Sequence, residues 1–590
     1  MFNLNNTFLT FFAISCLLST AFLIGLAFEI QTVEASGIIY IRYDGCIDPP
    51  TTPISNIDNV TYVFTDNIYD EIVIERSNII IDGNNYTLHG TESHDSKGIY
   101  LFGIRNVTIK NIRIEGFWYG IFLEDSSDHK LYRNIIAANK IHGIRLWHSS
   151  GNTISGNNMT NNENGIYFRY SSNNKVFENN ITANAINGIQ GLYSSNNSIS
   201  RNNIVNNEHG ILLHETSNDN TIFRNIITAN EFEGISVEGS NCVISDNVVT
   251  GFYNVHEYCG IFVGMSGKGN LVINNTVQNG FSGIQIGSND TIVSLNTIIG
   301  NYNGILSDST DDCTFSRNIM KKNNFAIQFR YCSDCIIFEN NLNQNDIAIR
   351  LYDSCNSTFA QNTISNTIYY AIGLRGYTYN NRFYHNNFID NRQIVYKSAT
   401  DSWHPNAWDN GYPSGGNYWS DYTGVDLHRG RYQNEPDSDG IADVPCVIDA
   451  NYTDNYPLMG MSHTANTAPK YNVSVISNST INYFECLESD STIRMYVSNM
   501  TPGQTCGFCR LTIPHDLLRP PYNITVNHDP VIYNTVFENE TFSIIYFRYE
   551  HSTLEIIIVP EFPSAIILPL FIILSLITPV FIKYRKNQQG

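Results

Sequence analysis

Phe122 and Glu124, Arg145 and Trp147, and Tyr167 and Arg169 sit at the same two offsets, two and four residues after successive Gly-Ile pairs. Rings at such positions stack on the apolar faces of sugars. Guanidinium and carboxylate groups between them satisfy hydroxyls or acidic substituents, so the set suits a glycan-binding surface. Glu124 is the one acid nearby that could act chemically. A merely solvated strip would carry Ser, Thr, Asn and Lys, yet the first four such units carry Tyr100, Phe102, Phe122, Trp147 and Tyr167. The competing expectation is that residues 37–97 fold over this strip as a cap, because the ends of repeat rods need covering.

Two other groups have suggestive spacing. Asp437, Asp439 and Asp443 surround the Gly440 turn, and three carboxylates there suit calcium, a hard cation that takes oxygen ligands. The loop lacks the bidentate Glu of an EF-hand, so a plain Asp-Gly turn is the alternative. Cys313 and Cys335 both lie nine residues into their units. Equal offsets on adjacent coils place them about one strand spacing, roughly 4.8 Å, apart, which predicts a disulfide. Cys332 and Cys355 differ by one in offset, a weaker match, and Cys506 with Cys509 reads as a tight bridge or a redox pair.

Positioning these groups falls to a repeat. A Gly-Ile or Ala-Ile pair recurs thirteen times from Gly98 to Ala371. Within the unit opened by Gly143, Ile144 and Leu146 alternate with Arg145 and Trp147, a period of two that marks a strand. Turn residues Ser149 to Asn152 follow, then short apolar points at Ile154 and Met159 between polar corners. Three short strands per unit, with no stretch long enough for a helix, predict a parallel β-helix of about thirteen coils. Stacked about 4.8 Å apart, they make a rod roughly 60 Å long. Gly191 and Ser307 replace the usual large inner residue and predict thin spots in the core. Asn152, Asn174 and Asn197 share one corner offset and predict a hydrogen-bonded amide ladder.

Residues 37 to about 460 resemble the NosD-type right-handed parallel β-helix family of archaeal and bacterial exported proteins. The likeness rests on the Gly-Ile-x-Leu and Asn-x-Ile coils, the entry segment Ile38 to Arg42 through Asn78 to Gly83, and the closing motifs Gly416 to Tyr422 and Asp454 to Met459. It implies fold and export. It leaves function open, since this scaffold hosts sugar-binding proteins, polysaccharide lyases, hydrolases, epimerases and a copper-centre maturation factor. Copper is not expected, because the eight Met are scattered and His142, His148, His209 and His214 fall on different units. No local motif marks paired catalytic carboxylates.

The remaining chain divides by composition. Residues 1–35, with an apolar run from Phe8 to Phe28, read as a signal peptide, with an uncleaved anchor as the alternative. Residues 36–97 form an N-terminal cap, 98–395 the coils, 396–463 a C-terminal cap holding the calcium loop, and 464–469 a linker. Alternating segments over 470–559 predict a small β-sandwich. Residues 560–582 form an anchor signal and a transmembrane helix, which the basic tail 583–590 orients with the rest of the chain outside the cell. Pro560 to Pro563 resembles the Pro-Glu-Phe-Pro signal of archaeal surface proteins, whose tail an archaeosortase removes. Sequons at Asn59, Asn196, Asn472 and Asn523 offer glycan acceptors.

The net charge of −21 argues against nucleic acid, which needs a basic footprint. The expectation is an exported, membrane-anchored surface protein that binds polysaccharide or serves a structural or adhesive role without catalysis. The alternative is a lyase, hydrolase or epimerase working on the outward face of the rod.

Overall fold

The computed structural model describes residues 37–251, 258–397, 405–465, 473–487 and 491–561. The expected signal segment lies outside them, as does the apolar run 565–582. Among the described residues no helix is long and apolar enough to cross a membrane.

Three stacked sheets of 17, 16 and 15 strands wind into one parallel β-helix. The first sheet carries the Gly-Ile strands, in register along the whole rod. Ile121 pairs with Ile144, Phe122 with Arg145 and Leu123 with Leu146, and the next rung repeats the pattern. Inward residues such as Ile121, Leu123, Ile144, Leu146, Ile166 and Phe168 are fully buried. Glycine opens these strands for a steric reason: a Cβ on Gly143 would lie 2.7 Å from the Gly165 carbonyl oxygen of the next coil.

Residues 37–97 open the rod, with antiparallel pairings at its first strands. Ile38–Ile41 and Glu71–Ile74 pair in parallel with each other, and Glu71–Ile74 pairs with Lys97–Phe102, so they extend the same sheet as two earlier rungs. A further rung, Val395–Lys397, follows the last Ala-Ile strand. The opening rungs lack a Gly-Ile pair at the repeat register, since Gly37-Ile38 falls one residue early, but keep the inward alternation through Ile39, Ile41, Ile72 and Ile74, all buried.

The expected thin spots are filled. Leu213 of the next coil leans into the space above Gly191, 2.7 Å from where a Cβ would stand. Ser307 is buried, with its hydroxyl 2.7 Å from that of Thr310.

Corner asparagines form the expected ladders. Asn152 donates to Asn174 at 3.0 Å. The longest ladder runs at another corner, through Asn134, Asn157, Asn179, Asn202, Asn225, Asn247, Asn275, Asn296, Asn318, Asn340, Asn362, Asn386 and Asn417. Each Nδ2 donates to the next Oδ1. The residue before each ladder member from Asn134 to Asn386 is left-handed, as at Arg133 (φ 57°) and Glu178 (φ 58°). That conformation costs about 1–2 kcal/mol per non-Gly residue, which the buried amide bonds offset. The ladder closes on a carboxylate: Asn417 donates its backbone N–H to Asp454 at 2.7 Å, and Trp419 donates its indole N–H to the same oxygen at 2.9 Å.

Two five-stranded antiparallel sheets form the sandwich. It starts before the expected linker, because Met461–Thr464 pairs antiparallel with Ser474–Ser477. The sandwich packs on the end of the rod through an apolar cluster of Ile441, Leu458, Ile476, Phe508 and Tyr546. Arg510 reaches across this contact and donates to the backbone carbonyls of Asp439 and Pro413.

Candidate functional site

The six strip residues come together on the outward face of the first sheet. Two further side chains join them from the position just before the repeat glycine, Tyr119 and His142. The Arg145 guanidinium packs over Tyr119 at 4.8 Å, Phe122 at 4.6 Å and Trp147 at 4.8 Å. Arg169 lies 5.2 Å over Trp147 as well, so two cations pack against the indole. Arg169 also draws its charge stabilisation from the Tyr170 and Tyr167 hydroxyls. The His142 ring stacks on Tyr167 at 4.4 Å, with the planes 2° apart. Burial, then the nearby charge of Arg145, depresses the His142 imidazole to about 3, so it is a neutral stacking surface.

The strip is less exposed than its sequence suggests. Phe122 is 5% and Tyr167 9% exposed, while Glu124, Arg145, Trp147 and Arg169 are half-buried and face outward. Phe122 is flanked by Tyr100 and Tyr119, each with ring centroids 5.5 Å away, and by the Arg145 guanidinium. Both ring neighbours belong to the same face. Glu124 accepts a hydrogen bond of 2.6 Å from the Tyr100 hydroxyl. Burial and then this bond push the Tyr100 hydroxyl above its ordinary range. The Nε atoms of Arg145 and Arg169 are buried without a hydrogen-bond partner.

The three cap carboxylates are each committed elsewhere. Asp437 accepts from Asn534 at 2.7 Å, Asp439 faces Arg510, and Asp443 accepts from the His428 ring at 2.8 Å and backbone at 3.0 Å. Among the described residues no three His, Cys, Asp or Glu side chains gather as a metal site. Each of these acids thus faces a protein donor. Cys313 and Cys335 are both buried on adjacent coils, their thiols in mutual contact and unbonded.

One constellation escaped the sequence reading. His209 sits 2.7 Å from Glu233, and His214 sits 3.7 Å from Glu238 and 2.9 Å from the Ser236 hydroxyl, midway along the same face. Burial lowers the His214 imidazole, against the opposing pull of Glu238 and Glu233. Neither contact is an aligned hydrogen bond, since His209 Nδ1 has no hydrogen-bond partner and Glu238 stands 3.7 Å from His214, but an imidazole beside a carboxylate is the pairing a general base uses. The signal lay in the offsets: His209 precedes its repeat glycine, and His214 and Glu238 follow theirs by four.

A family model described as right handed beta helix region matches residues 29–163 and 97–249, and one described as periplasmic copper-binding protein (NosD) matches residues 228–424. The chain is a right-handed β-helix protein of the NosD type. No curated protein sequence matches it significantly. Among solved structures, DFA-IIIase from Arthrobacter chlorophenolicus A6 without its lid is 16% identical over 39% of this chain and 63% of its own, with a TM-score of 0.30. The match thus spans under two thirds of that enzyme. The mannuronan C-5 epimerase A-module of Azotobacter vinelandii is 15% identical over 57% of this chain and 91% of its own, at 0.30. The tailspike protein of E. coli bacteriophage HK620, solved with a pentasaccharide, is 10% identical over 83% and 87%, at 0.33. These are likenesses of fold alone.

Proposed function

We propose that this chain is an exported, membrane-anchored surface protein whose outward β-helix face binds polysaccharide. The observation that carries the reading is Arg145. Its guanidinium lies over three rings, including Trp147 at 4.8 Å, and among the described residues it forms no salt bridge, so a half-buried cation stands beside a half-buried indole. That pairing offers one surface for a sugar face and one for its oxygens. Phe122 and Tyr167 form the floor beneath. The apolar runs at both ends and the basic tail support export and anchoring.

The test is binding of a glycan array by the full-length chain and by Trp147→Ala/Arg145→Gln. The double variant is expected to lose at least about tenfold in affinity, since aromatic and Arg anchors dominate such contacts. Its melting temperature should change little, because both side chains face outward. Unchanged binding would overturn the reading. Tyr167 is unsuitable for this test because its truncation would also remove the His142 stack.

The His209–Glu233 and His214–Glu238 pairs favour a second reading, in which the same face cleaves or epimerises its glycan. His209→Ala would then abolish turnover of a bound polysaccharide while leaving binding intact.

A further inference from the structure

A second place on the same face repeats the plan of the strip. Arg350 and Tyr352 stand two and four residues after Ala348, as Arg145 and Trp147 stand after Gly143. One coil later Arg375 follows Ala371 by four, as Arg169 follows Gly165. Register preserves the diagonal, with Trp147 opposite Arg169 in the first station and Tyr352 opposite Arg375 in the second. Arg350 packs 5.0 Å over Phe325, and Arg375 lies 5.9 Å over Tyr396.

All four arginines keep a buried Nε without a hydrogen-bond partner, and among the described residues none forms a salt bridge. Arg330, in the same hollow as Arg350, instead reaches Asp308 at 3.9 Å. That hollow holds about 310 Å³ and is bounded by Tyr331 and Tyr352. Burial first, and the charge of Arg375 next, pull the Arg350 guanidinium down. Neighbouring unpaired cations in a chain of net charge −21 need an anion from outside.

Nine strand pairings separate the Arg145 rung from the Arg350 rung. At about 4.8 Å each, the stations stand about 43 Å apart. The outward positions between them include the small or neutral Ser236, Gly264, Gln285 and Gly287, and the acids Glu238 and Asp308, each beside a basic side chain, His214 and Arg330.

We infer that the two arginine stations grip acidic groups of a single extended anionic polysaccharide laid lengthwise along the rod. This rests on the polysaccharide reading above and specifies its substrate class. A nucleic acid is disfavoured: duplex DNA carries a charge every 1.7 Å or so and would meet the acidic protein along the whole span.

The test compares a long polyuronate, a uronate trimer too short to bridge, a sulfated dextran, a neutral dextran and an oligonucleotide of matching length. The full-length chain is titrated beside Arg145→Gln/Arg169→Gln and Arg350→Gln/Arg375→Gln. The wild type is expected to bind a long acidic polymer at least about a hundredfold more tightly than the trimer, as linked sites do. Each double variant should lose that advantage, and the trimer's stoichiometry should fall from two to one. Preference for the uronate or for the sulfate names the acid. Arg350→Lys/Arg375→Lys keeps the charge without the planar fork and should fall in between, a control should the Gln variant fold poorly. Long-polymer binding that survives Arg350→Gln/Arg375→Gln, or neutral dextran bound as tightly, overturns this inference and leaves the polysaccharide reading standing. Tighter oligonucleotide binding overturns the substrate class. If no polymer binds the wild type, both fall.

Discussion

Arg510 of the sandwich lies 3.9 Å from the Asp439 carboxylate of the β-helix cap, with 2% and 0% of the two side chains exposed. Burial lowers the guanidinium and raises the carboxyl, and each charge opposes that shift in the other. Removing one partner of such a pair leaves a buried charge uncompensated, at about 3–5 kcal/mol. Arg510→Ala is therefore expected to undock the sandwich before the rod melts. Calorimetry should show one transition splitting into two, whereas an unchanged profile would mean that the apolar cluster around Phe508 holds the contact alone.

Asp426 sits behind the same contact and accepts backbone hydrogen bonds from Asp439 at 3.1 Å and Gly440 at 2.8 Å. Burial pushes its carboxyl from 3.8 up to about 7. The folded state thus holds this proton more tightly than the unfolded chain. Its contribution to stability is complete below about pH 4 and is lost as pH rises to about 7. Relative to Asp426→Asn, the wild type should lose several degrees of melting temperature across that window. A constant difference between the two would show that Asp426 is ionised throughout.

Asn296 occupies the middle of the long ladder. Its Nδ2 donates to the Val272 and Ser294 carbonyls and to Asn318, at 2.9, 3.0 and 3.0 Å. Asn296→Ala leaves those acceptors unmet and is expected to cost about 3 kcal/mol. Asn296→Asp points a carboxylate oxygen at the same three oxygens and should cost more at pH 7 than at pH 4. Equilibrium denaturation at the two pH values decides it, and equal losses would remove the ladder from the stability of the rod.

Cys313 and Cys335 have touching thiols on adjacent coils. In an oxidising compartment they are expected to close into a disulfide. Non-reducing peptide mapping of exported protein should recover the two peptides joined, and free Cys313 would contradict this.

The acids around Gly440 are expected to ignore calcium, because Arg510, His428 and Asn534 already occupy them. A chelator should leave melting unchanged. A rise of several degrees on adding calcium would show the loop rearranging to take the ion.

The rod was legible because its period is its register: thirteen repeats of one pair place Phe122 opposite Arg145 without any long-range knowledge. The first two rungs were not, since Ile39 and Ile72 alternate correctly but carry no marker glycine. The burial of Phe122 and Tyr167 depends on Tyr119 and His142, which stand just before the glycine and not two or four residues after it. The fate of Asp439 hung on an arginine 71 residues later in the chain, a partner that no local pattern announces.

Asp454 gives the long ladder a chain terminator. Every asparagine between the two ends of that column receives from one neighbour and gives to the next, so a column ending in asparagine would present a live end to whatever met it. Stacked identical rungs with open ends are how fibrils recruit new layers. Burial pushes the Asp454 carboxyl up to about 7, and above that pH it carries no proton and can only accept. By taking the Asn417 N–H and the Trp419 indole, Asp454 satisfies the last rung and has no donor to offer a further one. A rod assembled by endless repetition is thereby given a definite length, and two copies meeting end to end find nothing there to propagate.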